Sequence, residues 1–172
     1  MKKFFNYLKH NTHFFLLLYA LIYIPYDSAG AQTVLQTCKD AGVKVINVDN
    51  VITEDDYDLV DGIIASDNEQ LGYLSGQWVA ENHPDGANIL TVHLQTAESC
   101  IINVDGFWKG IKENAKDPDK YVDAQVVEGE GSTETSFNVV SDALQANDDI
   151  DVIYCINDTS ALGAVQAVED AG

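Results

Sequence analysis

Short runs rich in valine and isoleucine alternate with stretches of helical periodicity along most of the chain, and the connections between runs are too long for hairpins. The runs are Ala20–Ile24, Val43–Val48, Gly62–Ala65, 88–93, 122–128 and 151–156. Strands that are not joined by hairpins must be joined by crossovers, and a crossover helix makes the pair parallel. The pattern therefore predicts an α/β protein with parallel, doubly wound (Rossmann-like) sheets and right-handed crossovers, and excludes a sandwich or a bundle. The 172 residues, 46% of them hydrophobic, can fill such a core as one ordinary domain or two small lobes.

Between the strands the apolar spacing sets the expected helices. Ala31, Val34, Leu35 and Cys38 fall at i, i+3, i+4 and i+7, with Gly42 as the stop. Thr53–Asp58 reads as an acidic, solvated turn. Ser66 followed by Glu69 has the form of a capping box, opening a helix over 67–82 with Leu71, Leu74, Trp78 and Val79 inward. Gly72 and Gly76 would let a neighbouring backbone approach that helix, and His83-Pro84-Asp85-Gly86 ends it. A polar loop is expected over 94–102, then a helix with Val104, Phe107, Ile111 and Ala115 on one side. A glycine-rich turn, Glu128–Thr133, precedes a helix bearing Phe137, Val140 and Leu144. The final helix carries Leu162, Val165 and Val168.

The start of the chain has two readings. Met1-Lys2-Lys3, the apolar run Phe14–Ile24 and the small-x-small Ala29-Gly30-Ala31 have the form of a secretory signal. The run falls short of the roughly 20 apolar residues of a membrane span, so no stable membrane insertion is expected. Alternatively Ala20–Ile24 is a buried strand, with Pro25-Tyr26-Asp27-Ser28 as its exit turn and helix cap. The strand reading is preferred for 20–28, because a strand-turn-helix unit follows directly, and residues 1–19 stay unexplained.

Charge and motif content narrow the function. The 28 acidic residues face nine basic ones, all lysine, for a net charge of −19. Phosphate backbones and anionic lipid would be repelled, so nucleic acid and membrane surfaces are not expected partners. Cys38, Cys100 and Cys155 are widely spaced, without a metal-ligand pattern, and no metal or cofactor is expected. There is no nucleophile elbow, phosphate loop or dinucleotide fingerprint. Asp49 with Glu98 is the one acid–base pairing worth naming, and His93 ends a strand, yet neither makes a catalytic set, so no enzyme is expected.

Capture of a small polar molecule fits better. In an open parallel sheet, ligands bind outside the carboxyl ends of the strands. Two strands end there in polar pairs, Asp49-Asn50 and Asn157-Asp158, and Asn103 opens a helix. A carboxylate accepts two hydroxyl hydrogens while an amide both donates and accepts, the mixture that sugar and polyol hydroxyls require. In a closed site each unmatched group would cost about 1–3 kcal/mol. The plainer alternatives are a turn at Asp49-Asn50 and a helix cap at Asn157 or Asp158.

Five motifs, in order, strengthen this reading. They are Pro25-Tyr26-Asp27-Ser28; Ala41 through Asn50; Ala65-Ser66-Asp67-Asn68 with Leu71-Gly72; Val104-Asp105-Gly106-Phe107; and Ile156 through Ala164. Over residues 20–172 the chain resembles the periplasmic sugar-binding proteins of the ribose-binding type, the soluble receptors of ABC importers. The resemblance implies a two-lobed fold, with 20–66 a partial first lobe and 67–172 most of a second. It places Asp49 and Asn50 on a ligand from the first lobe, and Asn103 and Asn157 from the second. It also implies a sugar or polyol ligand, ABC permease subunits as partners and an extracytoplasmic location. Family members usually carry arginine where this chain has Asn103, and often where it has Asn50, and an aromatic near Gly131, departures that weaken an assignment to ribose and leave the particular sugar open. A complete two-lobed protein would have about 300 residues, so this chain reads as an internal piece of one. The effector domain of regulators resembling the lactose repressor is the alternative. It usually shows glycine-histidine where this chain has His83 to Asn88, and no helix-turn-helix is present.

Overall fold

A computed structural model describes residues 20–172. The chain divides into two compact units, one ending at Ser66 and the other spanning Asp67–Gly172. The expectations for residues 1–19 lie outside the described residues.

In the first unit, strands β1 (Ala20–Tyr23), β2 (Lys44–Val48) and β3 (Gly62–Ile64) form a parallel sheet in the order β1-β2-β3. Ala20 pairs with Lys44 and Ile46 with Gly62. Helix α1 (Gln32–Asp40) covers one face, and Ala31, Leu35 and Cys38 meet Val45, Ile52 and Leu59 in a single core. The spacing named those three helix positions because burial follows the 3.6-residue period. Gly42, at φ 69°, takes the left-handed conformation that ends α1.

Two expectations for this unit are corrected and one is made specific. Residues 20–23 do form a strand, but an edge strand with Ile22 exposed rather than a buried one. The segment Pro25–Ser28 does lead out of β1 and cap a helix, the 3₁₀ turn Ala29–Ala31: Asp27 Oδ1 accepts from the Ala29 and Gly30 amides, while the Ser28 hydroxyl donates to Val51 O at 2.7 Å. The acidic segment is a 3₁₀ helix, Glu54–Leu59, that buries Asp56 together with Leu59.

The second unit has a parallel sheet in the order β5-β4-β6, made of β4 (Ala87–His93), β5 (Tyr121–Glu128) and β6 (Val152–Cys155). Helices α2 (Asn68–Asn82) and α3 (Glu98–Asn114) pack with one face of the sheet, joining Val79, Phe107 and Ile111 to Ile89 and Tyr154. Helices α4 (Thr133–Ala146) and α5 (Asp158–Ala171) supply the other core, where Val140, Ala143, Ala164 and Ala167 meet Leu90 and Val92. Alternation along β4 thus sends Ile89 to one core and Leu90 and Val92 to the other, as a strand covered on both faces must.

Here small residues overrule large ones. Leu71, Leu74 and Trp78 were expected inward, but all are exposed, Trp78 by 58%. The buried face of α2 is Gly72, Gly76, Val79 and Ala80. A Cβ at Gly72 would overlap the Asn103 carbonyl, and one at Gly76 the Phe107 carbonyl, while Gly106 and Gly110 of α3 meet the Glu69 and Tyr73 carbonyls in return. The two backbones touch, so the glycine face points inward and the leucines turn out. Helix α5 repeats this, with Ser160, Gly163, Ala164 and Ala167 buried and Leu162, Val165 and Val168 exposed. The cap of α2 is Asp67, accepting from Gln70 N, rather than Ser66. The expected polar loop is shorter, because α3 begins at Glu98. Among the described residues no helix is long and apolar enough to cross a membrane.

Candidate functional site

Both sheets are parallel, so the carboxyl ends of the strands in each lie along one edge, where ligand-facing groups belong. In the first unit that edge is built by Asn47, which is fully buried. Its Nδ2 donates to Tyr23 O at 3.1 Å and Asn50 O at 2.9 Å, and its Oδ1 accepts from Ile52 N at 3.2 Å. One side chain thus ties the end of β1 to the turn after β2. Asn50 Nδ2 adds a second tie, donating to Pro25 O at 2.7 Å.

Between these two ties Asp49 stands exposed in the left-handed region, at φ 68°, with its amide donating to Ile64 O at 2.9 Å. Aspartate tolerates this conformation better than most residues, but glycine would adopt it at less cost. Asn47 was missed at the sequence level. Its signal was an amide inside the strand Val45-Ile46-Asn47-Val48, a place where a polar side chain needs partners.

In the second unit Asn157 is the N-cap of α5, its Oδ1 accepting from Ser160 N at 2.8 Å. The capping alternative therefore applies to Asn157, and Asp158 is the first helical residue. Gly131, at φ 62°, lies alongside: a Cβ there would come within 3.1 Å of Asn157 Nδ2. Thr159 Oγ1 faces both Gly131 O at 2.6 Å and Asn157 Oδ1 at 2.9 Å.

Asn103 sits elsewhere. It lies in the second turn of α3 rather than at the start, is 9% exposed, accepts from the Tyr154 hydroxyl and donates to Asn68 O at 3.5 Å. The Tyr154 ring stacks on Phe107 with centroids 3.9 Å apart, and burial pushes its hydroxyl pKa up. Asn103 thus joins α3 to β6 and α2 inside the unit.

His93 closes β4 and is nearly buried. Its Nδ1 accepts from Leu94 N at 2.8 Å, so the ring is neutral at that nitrogen. Burial pulls its pKa down, against the opposing pull of Glu128, Asp105 and Asp123. Glu128 Oε2 in turn accepts from Gln95 N at 3.2 Å, holding the loop after β4. Cys155 is pushed up to about 11 by burial and stays a thiol. No group of three or more metal-ligating side chains occurs among the described residues.

Parallel sheets flanked by helices, with polar groups at the carboxyl edge, define a class of α/β ligand-binding proteins. Comparison with known proteins makes the class particular: a family profile described as "Periplasmic binding protein domain" matches residues 18–172, and the chain belongs to that family. The D-xylose-binding periplasmic protein of Escherichia coli is 29% identical over 154 residues, which is 88% of this chain and 46% of that protein. Among solved structures, the periplasmic binding protein component of the arabinose ABC transporter from Shewanella sp. ANA-3, bound to α- and β-L-arabinofuranose, superposes with a TM-score of 0.80 at 26% identity. That match covers 100% of this chain and 56% of the other. A shorter match, 23% identical over 109 residues (63% of this chain and 31% of that protein), is to the transcriptional repressor PurR of Vibrio atlanticus. The chain spans about half the length of the curated sugar-binding relatives it matches.

Proposed function

We propose that this chain is part of a solute-binding receptor that captures a sugar or polyol for an ABC importer, outside the cytoplasmic membrane. The observation that carries this reading is the match along residues 18–172 to a periplasmic binding family whose relatives are named for pentoses and other sugars. The repressor reading rests on the shorter, 109-residue match. The receptor performs no covalent chemistry. Ligand binding selects one conformation of the receptor, and the permease subunits recognise that conformation.

Of the four residues expected on the ligand, Asp49 and Asn157 are assigned to touch it. Asp49 is exposed at the carboxyl edge, and Asn157 keeps an amide nitrogen beside Gly131. Asn50 is assigned to hold the first edge, because its side-chain amide donates to Pro25 O, and Asn103 to brace α3 inside its unit, because its amide donates to Asn68 O.

Titration of the 172-residue chain with D-xylose, L-arabinose and D-galactose, followed by amide NMR, tests this. Saturable shifts at Asp49 and Asn157 with at least one sugar are expected, with at least tenfold weaker binding in Asp49→Ala. Absence of any saturable shift, or an unchanged Asp49→Ala, would overturn the assignment.

A further inference from the structure

Alternation along β2 sends Val45 and Asn47 into the interior beside α1, and Lys44, Ile46 and Val48 to the opposite face of the first sheet. Registered partners share that face, because Ile22 pairs with Ile46 and Ile64 with Val48. Leu21 and Tyr23 pack onto the α1 core, so Ile22 between them points away from it. Gly62 completes the row of Ile22 and Ile46, and a Cβ there would stand 3.4 Å from Ile46 Cδ1. Ile22, Ile64 and Ile24, just past β1, are each more than half exposed, and Ile46 and Val48 are half-buried. Among the described residues none of these five joins a core. Parallel sheets are ordinarily covered on both faces, and a contiguous apolar surface of this kind calls for a covering layer.

Residues 1–19, outside the described part, run directly into β1, the strand at the edge of this surface. Their sequence is apolar and cationic. Phe4, Phe5, Tyr7, Leu8 and the run from Phe14 to Tyr19 stand with Lys2, Lys3 and Lys9, and all 28 acidic residues of the chain come later. The family match begins at residue 18, so the family does not account for this segment. Its length suffices. In helical form the 19 residues would reach about 28 Å, whereas the surface is three strands, about 10 Å, wide and about 17 Å long. A second copy is the poorer occupant, because it would bring a further charge of −19 to the contact, while the tethered segment brings lysines to an acidic body at high effective concentration.

We propose that residues 1–19 fold back over the outer face of the first sheet and cover Ile22, Ile46, Val48 and Ile64, supplying on that side the layer that α1 supplies on the other. The segment is then part of the fold rather than a leader to be discarded. Cleavage after Ala29-Gly30-Ala31 would remove β1 with it and break the pairing of Ala20–Tyr23 with β2. This inference does not depend on which ligand the chain binds.

p-Benzoylphenylalanine placed at Leu8 in the full chain reports the neighbouring residues directly. Irradiation is expected to give cross-links within one chain to residues 44–48 or 62–64, mapped by mass spectrometry. Cross-links confined to residues 67–172, formed only between two copies, formed only with added phosphatidylglycerol vesicles, or absent altogether would overturn the proposal. Hydrogen exchange gives a readout that an undocked leader would not move. Phe5→Lys combined with Leu8→Lys is expected to speed amide exchange across residues 44–48 and 62–64 at least tenfold, leaving 87–93 in the second unit as in the parent. Unchanged exchange in the first sheet overturns the proposal, as does recovery of an exported chain that has lost residues 1–19.

Discussion

The two units solve one problem, fixing the carboxyl edge of a three-stranded parallel sheet, by different means. Among its described residues the first has one α-helix, of nine residues, and one core, and its edge is held by side-chain hydrogen bonds from Asn47, Asn50 and Ser28. The second has helices on both faces and two cores, with helix pairs that meet through glycine so closely that backbones touch. In the first unit the turns are fixed by specific polar ties, and in the second helix caps act beside packing close enough for backbones to touch.

If this contrast holds, the largest single-site loss lies in the second unit at Gly76. Gly76→Val would drive two methyl groups and a Cβ into the Phe107 carbonyl, and urea denaturation should show about 3 kcal/mol lost there. Asn47→Ala in the first unit comes next, at about 2 kcal/mol, because it orphans the Ile52 amide and two carbonyls. Hydrogen exchange should localise that loss to residues 20–66, and an Asn47→Ala loss exceeding that of Gly76→Val would reverse the comparison. Trp78→Ser sharpens it from the small end. An exposed tryptophan on the outer face of α2 should change stability by no more than about 0.5 kcal/mol, whereas an inward Trp78 would cost several times that.

Legibility followed the strength of the local signal. The strands were readable because each is a short β-branched run bounded by turn residues, and α1 and α3 because their apolar positions keep the 3.6-residue period. Helices α2 and α5 were located along the chain but rotated, since each has two candidate faces, one of leucine, valine or tryptophan and one of glycine and alanine. Hydrophobicity favours the first. Close backbone approach, available only with a partner helix carrying its own small residues, favours the second and prevailed. At the candidate site, the positions of Asp49 and Asn157 at strand ends were readable, whereas the inward turn of Asn103 depended on Tyr154, 51 residues away.

The amino-acid order alone determined the alternation of strand and helix, the parallel sense it forces, the points where glycine or a helix cap ends an element, and which polar residues fall at carboxyl edges. All of these are set within a few turns of the chain by periodicity and backbone preference. The tertiary structure decided which face of α2 and α5 is inside and that Asn47 rather than its neighbours braces the first edge. Those outcomes depend on contacts between residues distant in sequence, where sterics and hydrogen-bond pairing choose among alternatives that local patterns leave nearly equal.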